Sequence, residues 1–413
     1  VNMPWREGNQ IRLLENGEQF FPRVYGALQR ARERVLLETF ILFNDKVGKA
    51  LQRELLAAAK RGVRITLMVD GYGSAGLPKE FVSSLTSAGV RFLYYDPRPL
   101  FLGVRTNVFR RLHRKVVVCD GDIAFVGGIN FSHEHLSDYG PQAKQDYAVE
   151  LKGPIVDDIA RYTEAAMSDQ PPPRRRWGRR RRESAQVQPG DAQARFVWRD
   201  NHQHRDDIEH GYMEMLRSAR RDVIIANAYF FPGYHLLREM RNAAQRGVRV
   251  QLIVQGKPDM AIVKVGAELL YNYLISAGVE IYEYRRRPLH AKIAVQDEYW
   301  STVGSSNLDP LSLSLNLEAN LFIHDRAFNH LMRENLNQLL NEDCLRIEES
   351  HLPARSWWQL SKSVVAFHFL RHFPAIAGWL PAHTPRLAEV EPPEQPQMET
   401  QDRVDSDNPG GKP

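Results

Sequence analysis

His113-Arg114-Lys115, Asp120 and Gly127-Gly128-Ile129-Asn130 form a pattern that the chain writes again as His290-Ala291-Lys292, Asp297 and Gly304-Ser305-Ser306-Asn307. Both copies read His-x-Lys, four residues, Asp, six residues, Gly-(Gly/Ser)-x-Asn. After each Lys comes an apolar run, Val116-Val117-Val118-Cys119 and Ile293-Ala294-Val295-Gln296, mostly β-branched as in a buried strand. Along a strand, His113 and Lys115 point to one face, as do His290 and Lys292. The glycines suit a tight turn where backbone approaches a ligand.

These residue types fit transfer at a phosphodiester. Such an ester is anionic and resists attack, so its free oxygens must be neutralised and its leaving alkoxide protonated. Lys115 and Lys292 supply charge, and the amides of Asn130 and Asn307 can donate to the same oxygens. One His can attack phosphorus while the other acts as general acid. A neutral imidazole is nucleophilic near neutral pH, so the chemistry calls for no metal and no cofactor. A carboxylate that holds the other ring nitrogen improves a nucleophilic His. Glu318, 11 residues after Asn307, and Asp146, 16 after Asn130, are the candidates. Asp120 and Asp297 sit at the strand ends, where a turn role and a catalytic role are both open. His133-Glu134-His135 has the spacing of a metal pair but no further ligands in a recognisable pattern, so it is read as structural.

The motifs lie within a longer repeat. Arg34-Val35-Leu36-Leu37 matches Asp222-Val223-Ile224-Ile225, Lys60-Arg61-Gly62-Val63-Arg64 matches Gln245-Arg246-Gly247-Val248-Arg249, and Ser87-Ala88-Gly89-Val90 matches Ser276-Ala277-Gly278-Val279. Each half alternates helix and strand, and Gly62, Gly89, Gly247 and Gly278 fall where helices end. The first half carries about 12 extra residues, 100–111, just before its motif, a mix of apolar side chains and Arg that can form a lip of the site.

The twin motifs resemble those of the phospholipase D superfamily, and the resemblance covers roughly residues 5–387. Within it, Gly304-Ser305-Ser306-Asn307-Leu308-Asp309-Pro310-Leu311-Ser312 followed by Asn316-Leu317-Glu318 is similar to the bacterial cardiolipin synthases. The resemblance implies an α/β protein of two fused domains, each with a mixed sheet, sharing one active site at a pseudo-two-fold interface. It implies phosphatidyl transfer from one phospholipid to the hydroxyl of another. His113, Lys115, Asp120, His290, Lys292 and Asp297 are then the catalytic set, Asn130, Asn307 and Ser305 bind substrate, and Asp146 and Glu318 support. His113 is read as nucleophile and His290 as acid, with the reverse left open. Gly128 stands where the second copy has Ser305, so the halves need not act alike. The alternatives are a phosphodiesterase or nuclease of the same superfamily and a lipid-binding protein without catalysis.

Composition bounds the setting. Lys and Arg number 55 against 50 Asp and Glu, but the near balance hides local blocks. Residues 171–183 hold seven Arg around Trp177, and residues 388–413 hold seven acids and two bases. A basic run with Trp suits an anionic lipid surface, although nucleic acid would attract it equally. No run of 18 apolar residues occurs, and the two cysteines, Cys119 and Cys344, suggest a reducing compartment. The expected partners are an anionic phospholipid membrane and phospholipid substrates, without nucleic acid, with the protein peripheral on the cytoplasmic face of a bacterial membrane. The expected organisation is a first domain at 1–170, a basic linker at 171–190 and a second domain at 191–350. A Trp-rich interfacial segment follows at 351–387 and an acidic disordered tail at 388–413.

Overall fold

The structure, a computed structural model, describes residues 3–97, 110–168, 189–256, 270–348 and 386–393. The expectations for the Arg-rich linker, the Trp-rich segment and most of the 100–111 insertion lie outside the described residues. The first half runs β1 (Arg6–Glu15), α1 (Asn16–Arg30), β2 (Arg34–Thr39), α2 (Lys46–Lys60), β3 (Arg64–Asp70), α3 (Lys79–Ser87), β4 (Arg91–Tyr95), β5 (Val116–Cys119), β6 (Ile123–Gly127), β7 (Tyr147–Lys152) and α4 (Ile155–Ala166). The second half repeats this path with β8 (Ala192–Arg199), α5 (Asp207–Ser218), β9 (Asp222–Asn227), α6 (Tyr234–Gln245), β10 (Arg249–Gln255), β11 (Glu280–Tyr284), β12 (Lys292–Gln296), β13 (Trp300–Gly304), β14 (Glu318–His324) and a helix at Arg326–Gln338. Two edge strands, β15 (Cys344–Ile347) and β16 (Leu387–Val390), flank the sheet, and short helical segments lie at His133–His135, Ser137–Tyr139, Pro310–Ser314 and Leu339–Asp343.

The strand order is β16-β4-β3-β2-β5-β6-β7-β1 followed by β8-β14-β13-β12-β9-β10-β11-β15. In each half three strands are parallel, β2-β3-β4 and β9-β10-β11, and the rest are antiparallel, which is the mixed α/β sheet expected. The halves join through β1 and β8, an antiparallel pair whose register shifts between Arg6 and Asn9. Gly62, Gly89, Gly247 and Gly278 all have φ between 84° and 92°, the left-handed turn that ends a helix.

Alternate side chains of the motif strands enter different cores. Val116 and Val118 of β5, with Ile293 and Val295 of β12, share one core with α4 and the helix Arg326–Gln338. Val117 and Cys119 face α1–α3, and Ala294 faces α5 and α6. These strands are buried on both sides, so their continuous apolar character is required. Between them the halves enclose a common apolar layer, and this fixes their mutual position. No described helix is long and apolar enough to cross a membrane.

The tail departs from expectation where it begins. Leu387–Val390, set down as the end of one segment and the start of a disordered one, pairs antiparallel with β4, and Glu389 meets Arg91 at 2.9 Å. The alternation Leu-Ala-Glu-Val is short, but β4 offers an open edge that it can complete.

Asp120 and Asp297 lie beyond β5 and β12, at the opposite strand ends from His113 and His290. Both adopt left-handed φ, 56° and 45°. The Asp120 carboxylate accepts the backbone N–H groups of Arg32, Glu33 and Arg34, each at 2.9 Å. Asp297 does the same for Arg220, Arg221 and Asp222 at 2.9–3.1 Å. Each carboxylate thus ties its hairpin to the start of the neighbouring strand. Asp120→Ala is expected to lose about 2 kcal/mol of stability, read as a lowered denaturant midpoint, while turnover per folded molecule is kept. Loss of turnover at unchanged stability would return Asp120 to the catalytic set.

Candidate active site

The segments leading into β5 and β12 cross to the opposite half before they join their own sheets. Leu112 bridges Leu317 and Leu289 bridges Gln145, both in parallel. The His113 N–H donates to the Leu317 carbonyl at 2.9 Å, and the His290 N–H donates to the Gln145 carbonyl at 2.8 Å. Leu317 and Gln145 immediately precede Glu318 and Asp146. Register therefore sets each imidazole beside a carboxylate of the other half. His113 Nδ1 lies 3.0 and 3.1 Å from the Glu318 oxygens, and His290 Nδ1 lies 2.6 Å from Asp146 Oδ2. With Nδ1 engaged, Nε2 of each ring remains for chemistry. The motif strands are one or more residues shorter than expected at this end, because the backbone at His113 and His290 is committed to the crossing.

Both carboxylates are fully buried, while the imidazole side chains keep 12% and 16% of their surface exposed, enough for a reactant to reach them. Lys115 and Lys292 are buried, and each ammonium donates to the carbonyl of its own motif His. Each lysine also feels both carboxylates, Glu318 and Asp146, so the two motifs share one electrostatic site. Burial pushes Lys115 down to about 7 and Lys292 down to about 8. Burial lowers His113, and burial together with Lys292, Lys144 and Lys115 lowers His290 further, so both rings are neutral near pH 7. The carboxylates diverge. Burial raises Asp146 above the usual range, whereas for Glu318 the same burial is outweighed by His113, Lys115 and Ser305.

The difference has a local cause. The Ser305 hydroxyl donates to Glu318 Oε2 at 2.5 Å. At the matching Gly128, a Cβ would lie 2.3 Å from Asp146 Oδ1, so only glycine fits. The Asn130 Oδ1 accepts the Ile41 N–H at 3.1 Å, which fixes that amide and leaves its NH₂ as the donor end. Asn307 is buried as well, with an Oδ1 that has no donor among the described residues. The crossing thus brings together His113, Lys115, His290, Lys292, Asp146, Glu318 and Ser305, and sets Asp120 and Asp297 apart.

The family model described as "Cardiolipin synthase, PLD-like domain" matches residues 24–167 and 212–340, one stretch in each half. The chain belongs to this phospholipase D-like cardiolipin synthase family. Over 409 residues, 99% of both chains, it is 65% identical to cardiolipin synthase B of Salmonella typhi and 63% identical to cardiolipin synthase B of Escherichia coli K12. Its fold is similar to that of phosphatidylserine synthase from Haemophilus influenzae, with a TM-score of 0.62 at 13% identity over 90% of this chain and 95% of that one.

Around this cardiolipin synthase-family site stand residues that the repeat did not single out. Phe40 packs on the His113 ring with centroids 4.9 Å apart, and the Lys115 ammonium lies 5.4 Å from the Phe40 ring. Arg114, between the motif His and Lys, is buried against Glu38 at 2.8 Å and lies over Tyr162. His133 and His135 do not act as a pair: His133 turns to Asp138 at the surface, and His135 turns inward toward Asp146.

The lysine shifts generate a pH dependence. An anionic substrate needs Lys115 and Lys292 charged, and both lose that charge as pH rises through about 7 to 8. In the free enzyme kcat/KM should therefore fall on the alkaline side across this window. Lys115→Arg, which stays charged, should move that limb upward. An alkaline limb that is unchanged in Lys115→Arg and lies above pH 9.5 would contradict the assignment.

Proposed function

We propose that the chain is a cardiolipin synthase. It transfers a phosphatidyl group from one phospholipid, such as phosphatidylglycerol, to the hydroxyl of another and releases the head-group alcohol. The observation that carries the chemistry is the crossed pairing of two imidazoles with two buried carboxylates around two buried lysines. Full-length similarity to proteins named cardiolipin synthase B supports this substrate class over a phosphodiesterase or nuclease.

In the first step His113 Nε2 attacks phosphorus as the bond to the head-group oxygen breaks, and His290 Nε2 gives that oxygen its proton. Glu318, held charged, steadies the cationic phosphohistidine. Asp146 holds His290 in the tautomer and orientation for proton transfer. In the second step the acceptor hydroxyl passes its proton to His290 and attacks phosphorus, and the P–N bond breaks. Lys115, Lys292, Asn130 and Asn307 hold the phosphoryl oxygens throughout. Support for this order of roles comes from the opposite shifts of the carboxylates. The ring that becomes a lasting cation faces the carboxylate whose surroundings favour its charge, and the ring that must part with a proton faces the one whose charge burial disfavours. We further propose that 1–170 and 191–350 form the two domains, and that 171–190 and 351–387 bring the site to the cytoplasmic face of an anionic membrane.

Product analysis by mass spectrometry with defined lipid pairs tests the reaction. Phosphatidylglycerol should yield cardiolipin and glycerol, in chelator as well as without it. Phosphatidic acid as sole product would make the chain a hydrolase, and full restoration by one stoichiometric divalent ion after chelation would refute metal-free transfer. For the roles, His113→Ala should form no covalent adduct, whereas His290→Asn should form one on His113 from a donor with a good leaving group and then stall. An adduct on His290 in His113→Ala reverses the assignment.

A further inference from the structure

Outside the repeated motifs, another ring points into the site with one nitrogen that no described residue hydrogen-bonds. His135 is fully buried, and its Nε2 accepts the Asn130 backbone N–H at 3.2 Å. A neutral imidazole that accepts at Nε2 carries its proton on Nδ1. That nitrogen has no hydrogen-bond partner among the described residues and lies 3.8 Å from Asp146 Oδ2, the same oxygen that meets His290 Nδ1. The ring centroids of His135 and His290 are 5.8 Å apart. The facing charged groups are Asp146, His290, Lys144 and Lys292, and burial together with the cations among them keeps His135 neutral.

His135 is held firmly. It ends a short turn, His133–His135, whose first N–H donates to Asp45 Oδ2 at 2.6 Å and whose second donates to the Ser132 hydroxyl at 3.2 Å. Five residues after Asn307, the corresponding position in the second half is Ser312, which has no ring to offer. There the side-chain donor to the carboxylate is Ser305; its counterpart Gly128 has no side chain to donate, and Asp146 takes a backbone bond at Oδ1 from the Tyr147 N–H at 2.8 Å, which leaves Oδ2 to the two rings.

We propose that His135 is a positioning residue for the His290–Asp146 pair, its Nδ1–H serving Asp146 as the Ser305 hydroxyl serves Glu318. A shift of about 1 Å, of the kind that tightens a site when substrate arrives, closes the contact to hydrogen-bond length. The ligand atoms of His135, Asp146 and His290 lie within 4.8 Å of one another, a spacing that a cation could bridge. Lys292 and Lys144 oppose a cation there, and the Asn130 bond leaves the proton on the nitrogen a metal would need.

The inference rests on His290 and Asp146 acting as the acid–base pair. Two substitutions separate the functions of the ring. His135→Asn can place an N–H where Nδ1 stands, and His135→Gln can place an oxygen where Nε2 stands. His135→Asn should keep a near-normal kcat and pH profile. His135→Gln should lose about tenfold in kcat with little change in KM. Its acid limb should move to higher pH, because a carboxylate that loses a donor binds protons more readily. The reverse ranking, equal loss in both or loss in neither overturns the proposal. If neither variant folds, nitrogen NMR of the unaltered enzyme decides: an Nδ1–H tautomer at His135 supports the proposal and an Nε2–H tautomer overturns it. A stoichiometric divalent ion bound through His135 would also overturn it. If His290→Asn itself retains full turnover, the acid–base reading fails, and that failure is distinct from this one.

Discussion

The crossing of two short segments governs the site. When the His113 N–H donates to Leu317 and the His290 N–H donates to Gln145, each half lends the other a carboxylate, and each motif imidazole finds its hydrogen-bonded carboxylate in the opposite half. The constraint is one of register. Shifting either bridge by one residue would turn Glu318 or Asp146 to the opposite face and leave a buried carboxylate without its partner, a loss of about 3–5 kcal/mol for a buried pair. The shared apolar layer of β5, β12, α4 and the helix Arg326–Gln338 holds the halves at the separation the bridges need. Packing and chemistry are therefore coupled, and a fault in that layer is felt at the reactive nitrogens.

Duplication supplies two similar pairs, but a transfer reaction needs two different ones. The difference is small in sequence. Ser305 against Gly128 decides which carboxylate receives a hydroxyl. Phe40 covers one imidazole while His135 approaches the other. Gly127 shows how tight the first copy is: a Cβ there would stand 2.4 Å from the Ala148 Cα. The second copy keeps glycine at the matching Gly304, where a Cβ would stand 2.1 Å from the Asn320 side-chain oxygen.

Much of this was legible in the chain. The repeat of Arg34–Leu37 at Asp222–Ile225 foretold paired strands, and the motif spacing foretold buried strands ending in turns. Glu318 and Asp146 could be named by counting from Asn307 and Asn130. Their exchange between halves could not, because a repeat says that two units are alike and is silent about how they dock. Asp120 and Asp297 travelled with the motif, and the sequence left a turn role and a catalytic role both open. The structure has them accept backbone N–H groups at the far strand ends, a placement that the pattern could not reveal. His135 was visible only as one half of an apparent metal pair, since its direction depends on a turn fixed by Asp45 on a distant segment. The strand at Leu387–Val390 was missed because its pairing comes from the open edge of β4, and four residues beside an acidic, Pro-rich stretch carry little signal of their own.

The buried charges explain why such a site waits for an anion. Lys115 and Lys292 stand among two carboxylates and two neutral rings, and burial has already brought both ammonium groups to the edge of deprotonation near neutral pH. A phosphodiester entering between them adds the negative charge that the arrangement lacks. It raises the proton affinity of the lysines and of both imidazoles together. In the reaction we propose, the substrate thereby helps to charge the groups that bind it, and it makes His290 able to hold the proton that the leaving oxygen will need. Near-neutral rings in the free protein and a proton-bearing acid in the complex are then two states of one site, separated by the arrival of one phosphate.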